Sequence, residues 1–149
     1  MTRRVESVLD SDQRHQFEHD GYVVLPDFVP DSLLDTLRIR IDELVYDYAE
    51  GGLPEGAATV FSTTDQTHAQ DDWFLTSADA VRPFFENGAF DDDGTQLVPM
   101  ERALNKLGHA MHDLVRVFDA FSRQAGLAEI AGDAGLTKPL LLQSMIIFK

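Results

Sequence analysis

Cysteine is absent from the 149-residue chain. That excludes disulfides, thiolate metal sites and cysteine nucleophiles. It also fits a reducing compartment, so a cytoplasmic location is expected. Positive charge is scarce: 12 Lys and Arg stand against 26 Asp and Glu, for a formal net charge of −14. A nucleic-acid binder needs a basic surface to meet phosphates, so that function class is set aside. No apolar run approaches the roughly 20 residues of a bilayer span, so no membrane partner is expected. Met1-Thr2-Arg3-Arg4 is basic but no apolar stretch follows it, so a signal peptide is not expected. There is no nucleophile elbow, Walker loop, dinucleotide glycine fingerprint or Ser-His-Asp pattern. By motif alone, the chain names no reaction.

What is present is ordinary for a globular protein. Apolar residues make up 44% and charged residues 26%, and the length suits one domain over residues 1–149. Residues 11–20 read as a helix, capped by Ser11 or Asp12 and ended by Gly21. Tyr22-Val23-Val24-Leu25 reads as a short strand stopped by Pro26. From Asp31 onward, Leu33, Leu34, Leu37, Ile41, Leu44, Val45 and Tyr48 fall on one helical stripe, which predicts a long helix ending at the Gly51-Gly52 pair. Residues 57–72 predict a long loop. Trp73-Phe74-Leu75-Thr76 and Pro83-Phe84-Phe85 are candidate strands, and Asp91-Asp92-Asp93-Gly94 can turn a hairpin between Ala89-Phe90 and Gln96-Leu97-Val98.

Leu104, Leu107, Met111, Val115, Phe118 and Phe121 predict a second long helix over 100–124, with Lys106 and His109 off its buried stripe. A short helix follows over 125–135, stopped by Gly135. The closing run, Leu140-Leu141-Leu142-Gln143-Ser144-Met145-Ile146-Ile147-Phe148-Lys149, is apolar on both faces. Such a strand is normally central in a sheet and covered on both sides. The few strands before it look insufficient to cover it, so the expectation is the N-terminal part of a larger fold. The rival expectation is a small α+β domain that ends on its central strand.

Each chemical candidate has a plain structural counterpart. His109 and His112 can share a helix face, and with Asp113 they suggest a two-His-one-carboxylate site, but there is no H-E-x-x-H and the adjacent Asp113 points elsewhere on a helix, which leaves a solvated or hydrogen-bonded helix face. Asp91, Asp93 and Gly94 resemble part of a calcium loop, yet Ala89 and Met100 stand where its first and last ligands belong, which leaves an acidic hairpin tip. Lys106 could bind a carboxylate as a point charge, or be a solvated helix lysine. Gln143, Ser144 and Met145 interrupt an apolar strand, so they need either partners in a satisfied core or a ligand cavity.

The string nevertheless resembles the phytanoyl-CoA dioxygenase family, in particular its domain-containing branch. The resemblance rests on Phe17-Glu18-His19-Asp20-Gly21-Tyr22-Val23-Val24-Leu25, Trp73-Phe74-Leu75-Thr76-Ser77, Phe84-Phe85-Glu86-Asn87-Gly88-Ala89-Phe90, Asn105-Lys106-Leu107-Gly108-His109-Ala110-Met111-His112 and Gln143-Ser144-Met145-Ile146-Ile147-Phe148-Lys149. It implies an α+β chain forming the N-terminal helices and first strands of a double-stranded β-helix, or jelly-roll, oxygenase fold. The cofactors it implies are Fe(II) and 2-oxoglutarate, with a small organic substrate, an acyl-CoA or a carboxylic acid, as the partner. Oxidative decarboxylation of 2-oxoglutarate by O₂ at the iron, giving succinate and CO₂, would leave the second oxygen atom as the oxidant that hydroxylates that substrate.

The resemblance also carries Lys106 and Met145 to positions that contact 2-oxoglutarate. It places Gln143 and Ser144 at the flank of that pocket and leaves His109 and His112 as scaffold. The family's iron is held by an H-x-D pair and a distal His. Here His15, His19, His68, His109 and His112 are followed two residues later by Phe17, Gly21, Gln70, Met111 and Leu114. No catalytic or metal residue is therefore assigned to these 149 residues. The chain alone is expected to be inactive, needing a C-terminal half or a complementing chain. A non-catalytic interaction module, pairing its terminal strand with another chain, is the alternative.

Overall fold

A computed structural model describes residues 7–54, 57, 72–91 and 93–148. The expected loop over 57–72 lies almost wholly outside the described residues, as do Asp92 of the acidic turn and Lys149 of the closing run. The architecture is mixed: seven helices and one three-stranded antiparallel sheet of order β1-β2-β3 among the described residues. No helix among them is long and apolar enough to cross a membrane.

Helix α1 is Ser11–Asp20. Its cap is Asp10, not Ser11 or Asp12: the Asp10 carboxylate accepts the Gln13 N–H at 2.8 Å, and the Gln13 side chain accepts the Asp10 N–H at 3.0 Å. This reciprocal pairing satisfies two of the orphan donors at a helix start. Gly21, at φ 79°, ends the helix in the left-handed conformation that glycine adopts without strain. Residues 22–25 form no strand; Tyr22 and Val24 are exposed and no ladder reaches them. Helix α2, Asp31–Gly51, follows the predicted stripe. Leu37 is buried, while Leu44, Val45 and Tyr48 pack against the core.

The segment Trp73–Thr76 is helical rather than extended: α3 is Asp72–Leu75. Strand β1, Val81–Phe85, contains the predicted Pro83-Phe84-Phe85. Proline lacks an N–H, which suits a strand at the edge of the order. Phe90 bridges Gln96 across the acidic turn, where Asp91 Oδ1 accepts the N–H groups of Asp93 and Thr95.

The predicted helix over 100–124 is replaced by four elements. These are α4 (Met100–Ala103), β2 (Leu104–His109), α5 (Met111–Leu114) and α6 (Arg116–Ser122). The reason lies in burial. All six residues of β2 are buried: β1 and β3 pair its two edges, and the core and Phe74 cover its two faces, whereas a helix of that stripe would expose Asn105, Lys106 and Gly108. Leu104, Leu107 and Met111 are spaced for a helix, but they reach one core from a strand and the turn after it. Helix α7 is Ala125–Asp133, near its expected bounds, and Gly135 follows at φ 92°. The Asp133 carboxylate accepts the N–H groups of Val8 (2.7 Å) and Leu9 (2.9 Å), which ties the start of the described chain to the end of α7.

The closing strand is shorter than expected. Strand β3 is Ser144–Ile147, and Leu140 and Leu142 before it are 80% and 83% exposed. Nor is β3 central in the sheet: β2 is, with β1 and β3 on its two sides. Register is tight at Gly108, which faces Met145, where a Cβ would come within 3.1 Å of the Met145 Cβ. The core of Phe85, Ala103, Leu104, Leu107 and Met111 sits on one side of this sheet, closed by α2 and α6.

Leu107→Ala should lower unfolding free energy by about 2–5 kcal/mol, because a fully buried leucine leaves a cavity. Chemical denaturation measures this; a loss under about 1 kcal/mol would contradict the central placement of β2.

Candidate functional site

The face of the sheet away from the core carries the chemistry. Register pairs Phe84 with Lys106 on one side of β2, and Gly108 with Met145 and Lys106 with Ile147 on the other. Directly paired residues of an antiparallel ladder project to the same face, and residues two apart along a strand do likewise. Lys106, Phe84 and Met145 therefore share a face, with Met145 diagonal to Lys106. Phe84 and Phe85 are adjacent in sequence and point oppositely: Phe85 enters the core and Phe84 joins the lysine.

Lys106 is only 6% exposed. Its Nζ lies 4.8 Å from the Phe84 ring centroid and 5.0 Å from that of Phe74. Both distances are within reach of the ring quadrupole that attracts a cation. The two rings meet edge to face at 5.9 Å. Burial penalises the charged ammonium and pulls the Lys106 pKa below the ordinary lysine value.

His109 closes the cluster. Its ring packs against Phe74 at 5.4 Å and Phe84 at 5.3 Å, and its Nδ1 lies 2.7 Å from Ser77 Oγ. Ser77 Oγ donates its single proton to the Phe74 carbonyl at 2.6 Å. The hydroxyl must then accept from His109, which assigns the Nδ1–H tautomer of a neutral ring. Burial first, and the charge of Lys106 second, lower the His109 pKa. Helix α3 is itself pinned to β1: Trp73 Nε1 donates to the Pro83 carbonyl at 3.1 Å, and Arg82 donates to the Trp73 carbonyl and to Thr76 Oγ1 at 2.7 and 2.8 Å.

The two other polar candidates lie apart from this cluster. Gln143 and Ser144 line a cleft of about 700 Å³ together with Asp113, Arg123 and Leu140. Ser144 Oγ accepts the His112 N–H at 2.8 Å and sits 2.7 Å from His112 Nδ1, which ties β3 to α5. The far side of that imidazole, Nε2, is 3.4 Å from Asp113, whose carboxylate is paired with Arg123. His109 and His112 thus answer to different serines and do not converge. Among the described residues, no group of three or more His, Asp or Glu is placed to hold a metal ion.

Lys106 and Met145, which the resemblance singled out, share this face of the sheet; Phe74, Ser77 and Phe84 were not singled out. Their signal was present in the Trp73-to-Ser77 segment and in the paired phenylalanines, one of which must turn away from the core.

A small antiparallel sheet flanked by helices, with a buried cation on the face away from the core, defines the class only broadly. The comparisons narrow it. The family model described as Phytanoyl-CoA dioxygenase (PhyH) matches residues 17–149. The chain is 40% identical over 139 residues to a phytanoyl-CoA dioxygenase domain-containing protein 1 homolog of Caenorhabditis elegans, covering 93% of this chain and 47% of that one. It is 39% identical over 145 residues to phytanoyl-CoA dioxygenase domain-containing protein 1 of Bos taurus, covering 95% and 49%. A phytanoyl-CoA dioxygenase of Arabidopsis thaliana is 35% identical over 141 residues, at 95% and 48%. The chain belongs to the phytanoyl-CoA dioxygenase family, and it spans about half the length of these curated relatives.

A pH dependence follows from His109. Its folded pKa lies below the unfolded value of about 6.5. In the window between them the unfolded chain binds the extra proton, so stability is complete above about pH 6.5 and is lost as pH falls toward the folded pKa. His109→Gln should flatten this part of the stability-versus-pH curve. Melting temperatures measured from pH 7.5 to 5 would show it; an unchanged slope would clear His109 of the effect.

Proposed function

We propose that this chain is the lysine-bearing part of an Fe(II)- and 2-oxoglutarate-dependent dioxygenase that hydroxylates a small organic substrate, an acyl-CoA or a carboxylic acid. In this reading the described elements are the helices and first strands of a double-stranded β-helix domain. Family membership supports the oxidoreductase class. The observation that carries the cofactor assignment is Lys106: a cation buried on the face of the sheet's central strand away from the core, with Met145 on the same face.

Lys106 supplies the charge that a dicarboxylate needs at one end. Buried among rings, its ammonium attracts a carboxylate oxygen in a medium where the attraction is weakly screened. Met145 offers a polarisable thioether against the ligand's methylenes. Phe74 and Phe84 keep water from competing for the ammonium. With iron and O₂ present, 2-oxoglutarate would be oxidised to succinate and CO₂, one oxygen atom of O₂ entering succinate and the other being left for the substrate. The iron ligands come from outside these 149 residues, supplied by the rest of a longer polypeptide or by a complementing chain.

Two outcomes are expected. The 149 residues with added Fe(II) and 2-oxoglutarate should release no CO₂ above background, and clear turnover would overturn the placement of the iron ligands elsewhere. 2-Oxoglutarate should still perturb the protein in ligand-observed NMR, and Lys106→Met should weaken that response about tenfold or more, as loss of one partner of a buried charge pair does. An unchanged response would remove Lys106 from the cofactor site.

A second reading, a binding module that donates a strand, is favoured by the outer edge of β3, where Ile147 is 60% exposed. Size-exclusion chromatography of the chain and of Ile147→Lys separates the two. Self-association abolished by the substitution supports strand donation, and a monomer in both counts against it.

A further inference from the structure

The cation on β2 is held by more than its own strand. Two aromatic rings from different elements, Phe74 on α3 and Phe84 on β1, place their centroids 5.0 and 4.8 Å from its Nζ. A lysine has four rotatable side-chain bonds, and fixing such a chain costs conformational entropy whenever a ligand must do the fixing. Here much of that cost is met within the fold. The rings brace one another edge to face, and each is braced by the His109 ring. His109 in turn is held by Ser77 Oγ, whose own proton is committed to the Phe74 carbonyl. The hydrogen bonds therefore close a loop: Ser77 fixes the backbone that carries Phe74 and the imidazole that packs on it. The clamp of Arg82 and Trp73 holds the same short helix to β1.

We propose that Phe74, Phe84 and His109, locked by Ser77, are positioning residues for Lys106, holding its ammonium ready for a carboxylate. The proposal rests on the reading of Lys106 as a carboxylate-binding residue and deepens it. The rings act in two ways. They stabilise the ammonium through their faces, offsetting part of its burial cost, and they restrict its position, so that less freedom is lost when an anion arrives. His109 contributes as a neutral ring. A proton on it would put a second positive charge in the same ring cluster, against which Lys106 already acts. The titratable groups of this cluster include Lys106 and His109, and Arg82 on β1 lies over the Trp73 ring at 4.6 Å.

The experiment uses the 149-residue chain with ¹³C-labelled lysine. Phe74 is half-buried and offers a conservative pair: Phe74→Tyr keeps the ring and Phe74→Leu removes it. In the parent chain the Lys106 Cε and Hε resonances should lie upfield of the other lysines because of the ring faces. Phe74→Tyr should retain that displacement and bind 2-oxoglutarate within about twofold of the parent. Phe74→Leu should lose part of the displacement and weaken 2-oxoglutarate binding about three- to tenfold, the range a partly desolvated cation–ring contact supports. Ser77→Ala, which leaves both rings in place but frees the imidazole, should broaden the Lys106 resonance and weaken binding less. The proposal is overturned if Phe74→Leu, still cooperatively folded, binds 2-oxoglutarate as the parent does while Lys106→Met does not bind. If Lys106→Met binds unchanged, the reading of the lysine itself has failed, and the two failures are thereby told apart.

Discussion

The central strand of the sheet must bury a charge. β2 is flanked by β1 and β3, covered by the core on one face and by α3 on the other, and Lys106 stands in the middle of it. A buried ammonium is tolerated only where surrounding groups compensate its lost hydration. The rings of Phe74 and Phe84 do part of this, and they can do so because α3 is fastened to the sheet by backbone and side-chain hydrogen bonds. Much of the local architecture, from the short helix to the Ser77–His109 contact, follows from keeping that cation on that face.

The charge distribution gives the arrangement its functional sense. At a net charge of −14 the chain as a whole repels an anionic ligand. Over a screening length of about 8 Å at physiological salt, a distant surplus of carboxylates matters less than a single cation at contact. A single buried lysine can therefore draw a carboxylate locally even in so acidic a chain. The second polar assembly, Ser144 with His112 and Asp113, has no such character: its groups answer one another and fasten β3 to α5.

The replaced helix over 100–124 marks the limit of periodicity. Leu104, Leu107 and Met111 satisfy a 3.6-residue repeat, and they do share one core. What the repeat cannot report is that strand neighbours will arrive from residues 81–85 and 144–147, with partners 19–28 residues away on one side and 35–41 on the other. Once both edges are paired, Asn105, Lys106 and His109 cease to be a polar helix face and become buried polar groups with partners. Trp73–Thr76 failed in the opposite sense, since its aromatic run suits a strand and only its docking onto β1 makes it a helical turn.

By itself the sequence determined what depends on near neighbours: the glycine at the end of α1, the apolar stripe of α2, the acidic turn and the strand tendency of 83–85 and of the closing run over 140–149. It also carried the family likeness, which pointed to Lys106 and Met145 as expected ligand contacts. Only the tertiary structure decided that β2 is central and β3 lies beside it, that Phe74 and Phe84 flank the lysine, and that His109 and His112 serve different serines. Those facts depend on contacts between residues distant along the chain, and local spacing carries no record of which distant partner will arrive.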